Sequence, residues 1–273
     1  FFFFFFIADR RSVFVGYVYD GPEQQNGLTL LVATIFFAFQ IYCDFSGYSD
    51  IAIGAARVMG FTLMDNFKSP YESKSISEFW GRWHISLSSW FRDYLYIPLG
   101  GNRKGEYRKY LNQFIVFLVS GLWHGASWNY VIWGALHGSY QVLASIRDKW
   151  FKAWGIQIPN HVAIKVFNVL ATFFLVTVSW VFFRNDKAPV GRSFEMLKTM
   201  ATFSWDEKIN SPYHHTEVWF SVLLVAGLLL KERYFEKIAT HNTAKFAITF
   251  ISVVTLTYFL SVITENQFIY FQF

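Results

Sequence analysis

Charge is what this sequence has least of: Asp, Glu, Lys and Arg make up 16% of its 273 residues, against about a quarter in soluble domains. A chain so poor in charge lacks the polar surface to face water on every side. Cysteine is nearly absent too. The lone Cys43 excludes an internal disulfide framework and any CxxC metal site, and it reads as a small packing residue. The chain has no basic stripe interleaved with aromatics of the kind a soluble nucleic-acid module carries. Its net charge of +5 is better explained by basic loops between apolar spans. The start lacks the charged n-region and small-residue cleavage site of a signal peptide. The opening run Phe1 to Phe6 reads instead as the interior of a transmembrane helix, so earlier spans are expected upstream. No internal repeat or low-complexity linker interrupts residues 1–273, which predicts one domain.

What the chain has in excess is aromatic and apolar. Hydrophobic residues reach 53%, with 33 Phe and 11 Trp, a composition suited to a lipid-facing surface and its interfacial belts. Crossing a bilayer core of about 30 Å takes about twenty apolar residues. Residues 27–43 form an uncharged run that ends at Asp44, with a second, small-residue helix expected from Tyr48 to Phe61. Residues 110–123 and 128–146 are apolar segments separated by a glycine-rich break. Further spans are expected at 163–183, 217–230 and 245–263. The class implied is an all-α polytopic membrane protein.

Between Thr62 and Lys109 lie Lys68, Lys74, Arg82, Arg92, Arg103, Lys104, Arg108 and Lys109, which the positive-inside rule assigns to the cytoplasmic side. Ser75 and Glu78 have the spacing of a capping box. From that cap, Ile76, Phe79, Trp80, Trp83, Leu87, Trp90, Phe91 and Tyr94 recur at three- and four-residue intervals, which predicts one amphipathic, interfacial or re-entrant helix. His84 falls on or beside its apolar face. Pro98 and Gly100-Gly101 end the element in a turn.

The sharpest local feature is SGLWHGASW, residues 120–128, where His124 sits between Gly121 and Gly125 in apolar surroundings. An ionisable side chain there is costly, so a functional role is the first hypothesis. A neutral imidazole can serve as a general base. The competing reading is a histidine that merely bonds a neighbouring carbonyl. His137, in WGALHGSY, reads as a packing histidine, and His84 as either a snorkelling or a functional one. His161, His214, His215 and His241 lie in polar connections; the His214-His215 pair has no Cys or carboxylate cluster to complete a metal site, and no metal is expected. Asp44 and Asp50 could relay protons in a transporter, or cap the helix expected after them.

Three ordered motifs carry a family resemblance. DFSGYSDIAIG at 44–54, NFKSPYESKSISEFWGRWHISLSSWFRDYLYIPLGG at 66–101 and SGLWHGASWNYVIWGALHG at 120–138 resemble the bacterial branch of the membrane-bound O-acyltransferases. The alginate O-acetylation members are nearest, and the D-alanyl transfer members of teichoic acid synthesis more distant. SWVFFRNDKAPVGRSFEML at 179–197 is similar to the segment that follows in the alginate-type members. The resemblance implies a ring of helices with re-entrant elements, N-terminal helices preceding those seen here, and residence in the bacterial cytoplasmic (inner) membrane. It implies His124 as the catalytic histidine and His84 as a second functional one, with Trp80, Trp123, Arg92 and Asp93 as candidate substrate contacts. It further implies no bound cofactor, an acetyl-CoA or carrier-protein thioester as acyl donor, membrane lipids as surroundings, and an SGNH-hydrolase-like extracytoplasmic partner that passes the acetyl group to a polysaccharide. D-alanyl-type transfer to a cell-wall polymer and a proton-coupled transporter are the alternatives.

Overall fold

The computed structural model describes residues 12–212 and 215–234, together with 247, 248, 251, 252 and 255. Among the described residues every regular element is helical. The chain divides into two compact units, residues 1–63 with 198–273, and residues 64–197. The expected span at 245–263 falls almost wholly outside the described residues, as do His214 and His241.

In the first unit, α1 (12–20) leads through a proline-started 3-10 turn, Pro22–Gln24, into α2 (Gly27–Val58). Asn26 caps α2: its Oδ1 accepts from the Thr29 backbone N–H at 2.9 Å and from Thr29 Oγ1 at 2.7 Å. The Asn26 amide also donates to the Lys208 carbonyl at 2.7 Å, so one side chain starts the helix and ties it to a segment far along the chain. Phe36, Phe37, Ile41, Tyr42 and Cys43 are buried along α2. Tyr19 and Thr34 share a buried 2.9 Å hydroxyl bond, and the Tyr42 hydroxyl donates to the Glu232 carboxylate of the helix His215–Tyr234.

The expected break at residues 44–48 is absent. α2 runs without interruption through Asp44, Gly47 and Asp50, so neither aspartate caps a helix. Ser46 Oγ donates to the Tyr42 carbonyl at 2.7 Å, one turn back, and a polar side chain satisfied by its own helix gives the backbone no reason to stop.

The second unit is built on an antiparallel hairpin, α5 (Glu106–His124) and α6 (Trp128–Ala153), against which α7 (Val162–Arg184) packs. Lys149 and Glu106 pair at its open end. The turn before α5 is fixed by the buried Asn112, whose amide donates to the carbonyls of Leu99 (3.3 Å) and Gly101 (3.1 Å). α5 and α6 touch backbone to backbone. A Cβ on Gly134 would lie 2.4 Å from the Phe117 carbonyl oxygen, and one on Gly121 would lie 2.3 Å from that of Tyr130. Gly121/Gly125 and Gly134/Gly138 are each four residues apart, the small-residue spacing that lets membrane helices approach closely. Gly134→Ala should therefore force the hairpin apart, at a cost of about 1–3 kcal/mol. A fall in the melting temperature of the detergent-solubilised intact protein checks this, and an unchanged transition would refute the close contact.

The expected single helix over 76–94 is instead two. α3 (Ile76–Trp80) stops at Gly81 and α4 (Ile85–Phe91) starts at His84, continuing into a π turn, Arg92–Tyr96. The cap at Ser75 forms as its spacing predicts, with Ser75 Oγ accepting the Glu78 N–H at 3.1 Å. Glu78 reaches back to the Lys74 N–H at 2.7 Å and also binds Arg82 at 2.6 Å. The break is held from outside the helix: the Lys68 N–H donates to the Arg82 carbonyl (3.0 Å) and the Ile85 N–H to the Asn66 carbonyl (3.1 Å). Asn66 Oδ1 also accepts from Ser86 N–H and Oγ at 3.1 and 2.9 Å.

Among the described residues two helices are long and apolar enough to cross a membrane, Gly27–Val58 and Val162–Arg184, with a shorter apolar stretch at Val218–Leu230. α7 begins on His161, exposed, whose Nδ1 accepts the Ala163 N–H at 3.2 Å. One of its faces is exposed and apolar, carrying Val166, Phe167, Leu170 and Phe174. Such a face suits hydrocarbon surroundings.

Candidate active site

His124 is the last residue of α5. Gly125 follows with φ of 152°, a conformation open to glycine but rarely to residues with a Cβ. Ser127 then caps α6, its Oγ accepting the Asn129 N–H at 3.3 Å. The break predicted from the sequence lies here. It leaves the imidazole half-buried against four rings: Phe183 at 4.9 Å, Trp123 at 5.0 Å, Trp133 at 5.2 Å and Tyr130 at 5.8 Å between centroids. Trp133, Phe183 and Trp180 also pack on one another. Beside the break lies an open apolar groove lined by Leu118, Leu122, Ala126, Ser127, Trp128 and Val131.

His84 comes from a different element yet lies within electrostatic reach of His124. It occupies the left-handed region, with φ 44° and ψ 56°, a strained conformation for a residue with a Cβ, at about 1–2 kcal/mol. Trp83 before it is buried, stacked on Phe79 (5.5 Å) and packed on Trp180 (5.3 Å). Aromatic packing and the Asn66 and Lys68 hydrogen bonds thus hold a strained histidine within electrostatic reach of the one on α5.

A polar clamp closes this end of the unit. Asn129, fully buried, donates to the carbonyls of Asn185 (2.7 Å) and Ala188 (2.8 Å), and its Oδ1 accepts from Ser193 Oγ at 3.0 Å. Asn185 donates in turn to Ser193 Oγ at 3.2 Å, and Ser127 Oγ donates to the Asp186 carbonyl at 2.6 Å. The clamp fixes the chain leaving Phe183 relative to the start of α6.

The other expected contacts separate into two groups. Trp80 is half-buried and lies at the site's edge, packed on Trp133 at 5.7 Å. Trp123 is exposed, its edge on His124. Arg92 and Asp93 are exposed and bond to each other at 2.7 and 3.1 Å rather than to the histidines; the guanidinium holds the Asp93 carboxyl below its usual range. Tyr130, Trp133, Trp180 and Phe183 were not singled out from the sequence. Tyr130, Trp133 and His137 nonetheless recur at three- and four-residue spacing, the signal of one helical face. Trp133 Nε1 and His137 Nε2 are buried and have no hydrogen-bond partner among the described residues. No three of His, Cys, Asp and Glu come together as metal ligands among the described residues.

Comparison with known proteins gives this geometry its context. Residues 1–184 match the membrane-bound O-acyltransferase family, and the chain belongs to that family. It is 47% identical over 226 residues to a probable alginate O-acetylase AlgI of Pseudomonas putida, covering 82% of this chain and 44% of that protein. It is 39% identical over 178 residues to the peptidoglycan O-acetyltransferase of Helicobacter pylori (65% and 33%) and 30% identical over 154 residues to the teichoic acid D-alanyltransferase of Bacillus subtilis (54% and 39%). The family read from the three sequence motifs is borne out. The chain spans less than half the length of these relatives.

Proposed function

We propose that the intact protein is an O-acyltransferase of the bacterial cytoplasmic membrane, multi-pass, that moves an acetyl group from a cytoplasmic thioester toward hydroxyls of an extracytoplasmic polysaccharide. The observation that carries this reading is that His84, from a separate element, lies within electrostatic reach of His124, whose ring sits in an aromatic cage. Support for acetyl comes from the alginate and peptidoglycan O-acetylating relatives.

In the proposed chemistry, neutral His124 takes the proton of an acceptor hydroxyl as its oxygen attacks the thioester carbonyl. The tetrahedral intermediate collapses, the carbon–sulfur bond breaks, and the imidazolium returns its proton to the leaving thiolate. His84 and the unpartnered Trp133 Nε1–H are the donors available to a developing oxyanion. An acyl-histidine route uses the same residues in two steps. Acetyl-CoA or a carrier-protein thioester is the donor, and an SGNH-hydrolase-like partner outside the membrane receives the group.

The test is transfer of label from radioactive acetyl-CoA by the intact protein in membranes, in parallel with a D-alanyl carrier thioester. Label reaching an acceptor from acetyl-CoA supports the proposal. Transfer from the D-alanyl carrier alone would assign the chain to the activity named for the Bacillus relative, and transfer from neither would favour a transporter. His84→Ala should slow transfer by about a hundredfold, the scale of one lost oxyanion donor. An unaffected rate would return His84 to a packing role.

A further inference from the structure

His137 lies thirteen residues beyond His124, fully buried on α6. Its ring is stacked on Phe117 (6.1 Å, 27°) and Phe79 (6.4 Å, 8°) and meets Trp133, Trp80 and Tyr140 edge-on at 5.0, 5.1 and 5.9 Å. Packing alone does not call for histidine here. A phenylalanine would fill such a cage and would bury no polar atom.

What the imidazole supplies is an acceptor. The Trp80 indole N–H donates to His137 Nδ1 at 3.2 Å. A neutral imidazole has one acceptor and one donor nitrogen, so this bond places the ring proton on Nε2, which finds no partner among the described residues. Leaving such a donor unmet costs the desolvation of a buried polar group. The fold thus retains an unfavourable buried N–H in order to hold Trp80.

Trp80 is the residue at which α3 stops, four before the strained His84. A non-glycine residue stays in the left-handed region only where its surroundings over-determine it. Asn66 and Lys68 fix the His84 turn from one side. The Trp80–His137 bond ties the preceding residue of the turn to α6, the helix that also carries Trp133 against His124.

We infer that His137 is a positioning residue: by accepting the Trp80 indole proton it locks the α3–α4 turn so that His84 is presented to His124. The inference rests on the transfer function proposed above for its kinetic consequence, and on geometry alone for its structural one.

Three variants separate the roles of the two ring nitrogens. His137→Asn keeps an acceptor near Nδ1, His137→Gln keeps a donor near Nε2, and His137→Leu keeps neither. In the intact protein, His137→Leu should lower kcat at least tenfold with KM for the thioester within about threefold. His137→Asn should retain kcat within about threefold, and His137→Gln should behave like leucine. A second readout needs no activity. Diethyl pyrocarbonate modifies accessible neutral imidazole, and trypsin releases His84 alone in the peptide from Trp83 to Arg92. His137→Leu and Trp80→Phe should each change the modification rate of His84 at least threefold, and His137→Asn less than twofold. Inactive wild-type protein would defeat the transfer function while leaving this readout to decide the positioning role. Unchanged His84 reactivity in His137→Leu would overturn the inference, and so would a His137→Asn variant matching leucine in either measurement. Full activity in His137→Gln alone would mean that Nε2 is the working atom, and would overturn it as well.

Discussion

Replacing His124 by alanine in the intact protein is expected to abolish acyl transfer, lowering the rate by about a thousandfold, within the range a general base contributes. His124 is the ionisable group at the α5–α6 break, it shares an aromatic cage with Trp133, Tyr130 and Phe183, and His84 lies within its electrostatic reach from another element. Alanine also leaves a gap among four rings, so a second substitution is needed to separate base from filler. His124→Phe fills the cage and has no base, and it should be as inactive as alanine while keeping more of the thermal stability. Labelled acetyl transfer in membranes, with membrane insertion confirmed by fractionation, measures both. More than about a tenth of wild-type transfer in His124→Phe would remove the base role from His124.

Loss of the Asn129 clamp is expected to have the largest effect on stability. In Asn129→Leu the Ala188 carbonyl and the Ser193 O–H are left without the partner Asn129 gave them, while the Asn185 carbonyl keeps only the Ala188 N–H at 2.9 Å. At about 1–3 kcal/mol for each orphaned group, with some relief from relaxation, about 3–5 kcal/mol should be lost. That corresponds to a fall of about 10–18 °C in melting temperature at the size of this unit. Transfer should fall as well, because the clamp sets where Phe183 meets His124. A shift under about 2 °C in detergent would show that water reaches these groups and that the clamp is not a structural element.

Much of this was readable from residue order. The Ser75 cap depends on atoms three residues apart, and the break at Gly125 on a backbone conformation glycine favours, so both are local and both are found. The continuous α2 was missed because Asp44 and Gly47 look like an interruption, while the bond that makes polar residues tolerable there, Ser46 to the Tyr42 carbonyl, is a geometric fact of the formed helix. The split of α3 from α4 was missed because the apolar spacing of 76–94 is the same whether or not the helix breaks. The grouping of Trp80 with His137 and of Asn129 with Asn185 joins residues more than fifty positions apart, and spacing within one helix carries no record of such pairs.

The sequence by itself determined the apolar, helical character of the chain, the family, and the two histidines worth attention, because composition, periodicity and motif order are properties of neighbouring residues. Only the tertiary structure decided that His84 turns out of helical geometry within electrostatic reach of His124, that the α5–α6 hairpin closes on Gly121 and Gly134, and that the Trp80 indole N–H finds His137. Those outcomes depend on hydrogen bonds and ring contacts between distant segments, whose energies exist only once the chain has brought the partners together.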